Sequence, residues 1–182
     1  SWNKQSGQFS AFNLSSGLAH TNIHCLALAG DSLLVGTFDR GLDIIDTRSN
    51  MLIKHFDAHN THGGLSTDFI YSISRTQTGR LLLATARGLC EFFPGKDTFH
   101  IIKEVPAYIF YTSIFEDDDE NLWLATWRDG LYHINYKTGH TKVFLHDKRD
   151  TNSLNSNRVN RIFQDSFSNL WIATENGLAQ WT

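Results

Sequence analysis

Four short segments set charged or amide side chains beside one another or beside an aromatic ring: Phe38-Asp39-Arg40, Ala86-Arg87, Trp127-Arg128-Asp129 and Glu175-Asn176. Arginine recurs in three of the four. Such a mixture suits a sugar, because an aromatic face covers the apolar C–H side of the ring while guanidinium and carboxylate groups bond its hydroxyls. The candidate binding set is therefore Trp127, Arg128, Asp129, Asp39, Arg40, Arg87, Glu175 and Asn176. The competing account is that these Arg and Asp residues pair across neighbouring units and stiffen a rim, although exposed pairs contribute little each. His55, His59 and His62 fall within eight residues, but no cysteine joins them and their spacing is not that of a helix face. The stretch 57–69 reads instead as a polar loop that offers His62 to the same ligand, with no metal and no cofactor expected.

Other clusters are weaker. The run Glu116-Asp117-Asp118-Asp119-Glu120 lacks the glycine and the terminal glutamate of a calcium loop and reads as a solvated turn. Neither G-x-S-x-G nor HExxH occurs, so no catalytic residue is assigned. Paired carboxylates for glycosidic cleavage are recognised in space rather than in sequence. A lyase or glycosidase acting on a polysaccharide thus stays open as the alternative function, and a protein-docking scaffold as the second alternative.

The four segments sit at one point of a repeat. SLLVGTFDRGLDII (32–45), RLLLATARGLCEF (80–92), NLWLATWRDGLYHI (121–134) and NLWIATENGLAQW (169–181) align on Thr37, Thr85, Thr126 and Thr174, spaced 48, 41 and 48 residues apart. Gly41, Gly88, Gly130 and Gly177 follow, each trailed by leucine. A short apolar segment precedes each copy: IHCLALAG (23–30), IYSISRTQTG (70–79), YTSIFEDDDE (111–120) and VNRIFQDSFS (159–168). MLIKHF (51–56), DTFHIIK (97–103) and HTKVFL (140–145) follow three of them. Val, Ile, Phe and Thr dominate segments far too short for helices, which predicts strands.

Four strands in each unit of 41–48 residues is the period of a propeller blade. A strand such as LWLAT, apolar at nearly every position, needs cover on both faces, and stacked blades supply it. The expected fold is all-β, a β-propeller segment of four blade-type four-stranded repeats over 1–182. Its units are about 23–56, 70–103, 109–145 and 159–181, with 8–13 as a displaced outermost strand. The opening WNKQSGQFSAF matches INYKTGHTKVF (134–144), and the ending GLAQW matches GLYHI, so Trp2 and Trp181 occupy equivalent positions. The expectation is that the ends pair within one chain, pair between two chains, or join the remaining blades of a larger ring.

Composition removes several function classes. The net charge of −3 gives no basic field for a phosphate backbone, which excludes nucleic acid as a partner of this segment. No run of eighteen apolar residues occurs, so a membrane is reached only through parts outside this sequence. Cys25 and Cys90 show no metal spacing and read as small buried thiols.

The motif N-L-W-[IL]-A-T-x(2–3)-G-L, the turn NYKTG (135–139) and the spacer NSLNSNRV (152–159) resemble the two-component regulator propeller repeat. The third and fourth units carry the motif in full, whereas the first two have Leu34 and Leu82 in place of its tryptophan. The resemblance implies a periplasmic sensor region of a hybrid two-component regulatory protein of the Bacteroides type. Such a region binds an oligosaccharide or other polar small ligand and signals through a phosphorelay to a cytoplasmic histidine kinase. No phosphoacceptor or ATP-binding segment appears among these residues, so the segment itself is expected not to be an enzyme.

Overall fold

The computed structural model describes residues 2–3, 7–135 and 137–181. Lys4, Gln5 and Ser6 of the opening segment and Tyr136 of the NYKTG turn lie outside the described residues. Among the described residues the β-branched and aromatic segments form seventeen strands, joined by tight turns and loops. A short hairpin, β1 (Trp2–Asn3) and β2 (Gln8–Phe9), comes first, then one 3-10 turn at Leu14–Ser16. The first blade is β3 (Ile23–Ala29), β4 (Ser32–Thr37), β5 (Leu42–Asp46) and β6 (Met51–Phe56). The second is β7 (Ile70–Arg75), β8 (Leu81–Thr85), β9 (Gly88–Phe93) and β10 (Thr98–Ile101). The third is β11 (Tyr111–Glu116), β12 (Leu122–Thr126), β13 (Leu131–Ile134) and β14 (Thr141–Phe144). The fourth sheet holds β15 (Val159–Gln164), β16 (Leu170–Thr174) and β17 (Gly177–Trp181).

Each sheet is an antiparallel meander in chain order. The β1–β2 hairpin pairs Trp2 with Phe9, as β13–β14 pairs Ile134 with Thr141. It is a separate two-stranded sheet and, among the described residues, does not pair with β17.

Side-chain alternation explains the stacking. Leu81 and Leu83 face the first blade and meet Leu34 and Ile44, while Leu82 and Ala84 face the third and meet Leu122 and Leu124. Trp123 and Ala125 then turn to the fourth blade, against Ile162, Leu170 and Ile172. In consequence β8 and β12 are buried at every position, while β16 alternates between buried and half-buried. At the first blade's outward face Leu18 and Phe12 pack with Val35 and Ile45, and the amide of Ala19 donates to Asp43 at 2.8 Å. The Cys25 and Cys90 thiols are free, and burial pushes the first up to about 12 and raises the second.

Small residues before each threonine allow close approach. A Cβ on Gly36 would come 2.4 Å from the Cys25 sulfur and 2.9 Å from Ile70 of the next blade. The first strands β3, β7, β11 and β15 pack each on the next and form the inner wall.

The turns between first and second strands are pinned by a carboxylate. Asp117 accepts from the Trp123 indole at 2.9 Å and the Asn121 amide at 2.8 Å, and Asp165 does the same with Trp171 and Asn169, both at 2.9 Å. The acidic run at 116–120 is therefore more than a solvated turn: its second residue holds the strand connection, and Glu116 accepts from the Gln77 amide of the neighbouring blade at 2.6 Å. Thr76 replaces the aspartate in the second blade, its hydroxyl accepting from the Arg80 amide at 3.0 Å.

Candidate functional site

The repeated threonine organises the loop between second and third strands. The hydroxyls of Thr37, Thr85, Thr126 and Thr174 donate to the carbonyls of Gly41, Gly88, Gly130 and Gly177 at 2.7–3.0 Å. The same oxygens accept from the amides of Arg40, Arg87, Asp129 and Asn176 at 2.8–3.2 Å. Each loop is thus closed on itself, and the positive φ at each glycine completes the turn. The residue after each threonine also donates back to the connection entering its own blade: Phe38 to Asn22, Ala86 to Phe69, Trp127 to Phe110 and Glu175 to Arg158. These bonds place the two sets of loops on one face.

On that face the predicted residues separate. Asp39 lies between His20, at 3.5 Å, and Arg40, at 3.9 Å, so this pair is an internal rim contact. Arg128 and Asp129 are exposed and do not line the groove beside Arg87 or the two inner-rim cavities described below. Arg87 borders a separate groove with Ile101, Val105 and Pro106. His62 is exposed in a turn with φ of 52°. Asn176 reaches the Asn155 carbonyl at 3.5 Å. Glu175 holds Arg158 at 2.6 Å, and the Arg158 guanidinium lies 4.1 Å from the centre of the Trp127 ring. The indole predicted to carry a sugar is therefore already covered by a cation, and it stacks near Phe110 as well.

Rings continue from there along the inner rim. Trp127 meets Phe110, Phe110 meets Tyr71 at 4.3 Å, Tyr71 meets His24 at 4.5 Å, and His24 meets Phe38, which meets Phe69. His24 and Tyr71 enter this series through a shared irregularity. Every first strand breaks register between its first and third residues, at Ile23/Cys25, Ile70/Ser72, Tyr111/Ser113 and Val159/Arg161. The extra residues are His24, Tyr71, Thr112 and Asn160, and a bulge re-aims the side chain it carries.

All four line one cavity of about 310 Å³, together with Ile23, Trp127 and Arg161. A second cavity, of about 350 Å³, lies alongside it, lined by Cys25, Leu26, Ser72 and Ile73 and again by His24 and Arg161. His24 is held below its ordinary pKa by burial and by His20, so its imidazole is neutral at pH 7. Burial raises the Tyr71 phenol. The Thr112 hydroxyl donates to the Val159 carbonyl at 2.6 Å. The side chains of His24, Tyr71, Asn160 and Arg161 have no hydrogen-bond or ion-pair partner among the described residues.

Of the residues singled out in the sequence, only Trp127 lines this cavity; His24, Tyr71, Thr112, Asn160 and Arg161 do so unannounced. A signal existed for four of them. In the aligned strands IHCLA, IYSIS, YTSIF and VNRIF, the second position alternates among His, Tyr, Thr and Asn inside otherwise repetitive apolar segments.

Comparison with known proteins agrees with this architecture. Residues 105–128 and 153–176 match the model of the two component regulator propeller, each span running from an inter-blade connection to the loop after the threonine. The two matched spans thus fall in the third and fourth units. Among curated proteins, none matches the sequence. Among solved structures, the chain is similar to the extracellular domain of a protein described as a hybrid two component system from B. thetaiotaomicron, with 24% identity and a TM-score of 0.77 over 98% of this chain and 23% of that one. The extracellular domain of a protein described as a one component system from the same organism gives 25% identity and a TM-score of 0.59 over 88% and 27%. Virginiamycin B lyase from Staphylococcus aureus, at 11% identity and a TM-score of 0.59 over 89% and 56%, shares the fold alone. The chain spans about a quarter of the length of the two extracellular domains.

Proposed function

We propose that this chain is a blade segment of the periplasmic sensor region of a hybrid two-component regulatory protein, and that it binds a carbohydrate or similar polar ligand. The observation that carries this reading is the pair of regulator propeller repeats at 105–128 and 153–176. The likeness to extracellular domains of such systems supports the location. Among the described residues no helix is long and apolar enough to cross a membrane.

The mechanism needs no chemistry from this segment. Ligand contacts that differ between two arrangements of the sensor shift their populations, and that shift reaches a histidine kinase elsewhere in the protein, which starts the phosphorelay. Rim side chains on the Trp127 and Phe38 loops, and the polar groups they surround, supply the contacts.

Calorimetric titration of the whole extracytoplasmic region against a panel of oligosaccharides tests the reading. Saturable heat with at least one saccharide, and unchanged sugar on chromatography afterwards, is the expected result. New sugar products would make the region an enzyme, and silence across the panel would remove the carbohydrate ligand.

A further inference from the structure

We propose that the inner mouth ringed by His24, Tyr71, Thr112 and Asn160 is a binding site for an acidic saccharide, whose anionic group is taken by Arg161. This rests on the carbohydrate-sensor reading and goes further by naming the site and the ligand's charge.

Three observations converge. First, the same bulge recurs in all four first strands, and in each it delivers one side chain capable of hydrogen bonding to the same space. A device repeated in the scaffold but filled with His, Tyr, Thr and Asn keeps geometry constant while varying chemistry. Second, the imidazole, phenol, amide and guanidinium there are unspent: none has a hydrogen-bond or ion-pair partner among the described residues. His24 and Tyr71 are half-buried and Asn160 and Arg161 exposed, so their polar atoms are open to water or to a ligand, and a few converging polar groups with aromatic walls define a small-molecule site. The volume of about 310 Å³ sits at the small end of the roughly 300–1,000 Å³ range of ligand pockets, which suits a mono- or disaccharide.

Third, the charge is one-sided. The lining of both inner cavities contains the Arg161 guanidinium and no carboxylate. Cys25, Ser72 and Ser113 hold the equivalent position in the other blades, so the small residue used there for packing is replaced once, by a cation. Arg158, the other nearby guanidinium, is engaged by Glu175 and Trp127. With His24 neutral, Arg161 is the group that selects an anion, and its planar fork matches a carboxylate or sulfate. Tyr71 and its ring neighbours offer aromatic surface to the sugar.

The test is calorimetry on the whole extracytoplasmic region with a uronate-containing disaccharide and its carboxyl-reduced, neutral counterpart. The acidic sugar is expected to bind more tightly by roughly tenfold or more, as one charge-assisted contact allows. Arg161→Gln should abolish that preference, so that the acidic and neutral sugars bind alike. Asn160→Ala and Tyr71→Phe should weaken both sugars, and by more than Arg128→Gln on the outer rim does. Equal binding of both sugars with a silent Arg161→Gln would overturn the acidic-ligand inference and leave the sensor reading standing. Binding that survives Asn160→Ala and Tyr71→Phe but is lost with Arg128→Gln would move the site to the outer loops. Absence of binding by any saccharide would take both down together.

Discussion

Asp117 and Asp165 show how single side chains set local order. Burial raises the Asp117 carboxyl, but hydrogen bonds from the Trp123 indole and from Asn121 outweigh it and hold the group below its ordinary value. The Trp171 indole and Asn169 bring Asp165 down to about 2. Replacing Asp117 by Ala strands the Trp123 and Asn121 donors and should cost about 1–3 kcal/mol of stability, read as a lower melting temperature. Both carboxyls titrate below their unfolded values, so their stabilisation is complete above about pH 4 and is lost as pH falls toward 2. Chemical denaturation across that window should show falling stability, with a shallower fall in Asp165→Asn; an identical slope in the variant would refute the assignment. Trp127 was legible in the sequence as a loop aromatic, yet its surroundings were not. Arg158 reaches it from the following blade's entry loop and takes the place above the ring, and no local pattern announces a contact made between units. The bulged residues escaped notice for a related reason. Their strands read as apolar, and the extra residue becomes visible only once two strands are paired.

At the scale of the element, the loop joining second and third strands depends on one threonine and one glycine in each copy. A Cβ on Gly130 would lie 2.2 Å from the Phe144 carbonyl oxygen, at a φ of 78° that side chains rarely adopt. Gly139 has a similar φ of 71° but nothing within 4 Å. Gly139→Ala should therefore cost only about 1–2 kcal/mol in backbone strain, while Gly130→Ala adds a backbone clash and should cost distinctly more. Denaturation midpoints compare them directly, and equal losses would contradict the packing argument. Thr126→Val removes a buried hydroxyl that both donates to Gly130 and accepts from Asp129, with an expected loss of about 1–3 kcal/mol. The spacing from threonine to glycine was plain in the sequence. The reason for threonine was not, because it lies in hydrogen bonds rather than in polarity or period.

For the whole molecule, stacking of blades carries the stability and forms the candidate site. Leu82 is fully buried between the second and third blades, so Leu82→Ala should cost about 2–5 kcal/mol and broaden or shift a single unfolding transition. The repeat, its four units and the double-sided burial of LWLAT follow from sequence period and apolar content, which is why the architecture was readable. The inner mouth was not, since it exists only where first strands of separate blades converge. Recognition at that mouth is the account's central claim, and hydrogen exchange of the extracytoplasmic region with and without a bound saccharide measures it. Slowed exchange at the bulges, residues 23–25, 70–72, 111–113 and 159–161, is the result predicted. Protection confined to the outer loops around Arg40, Arg87 and Arg128, with the bulges unchanged, would contradict it.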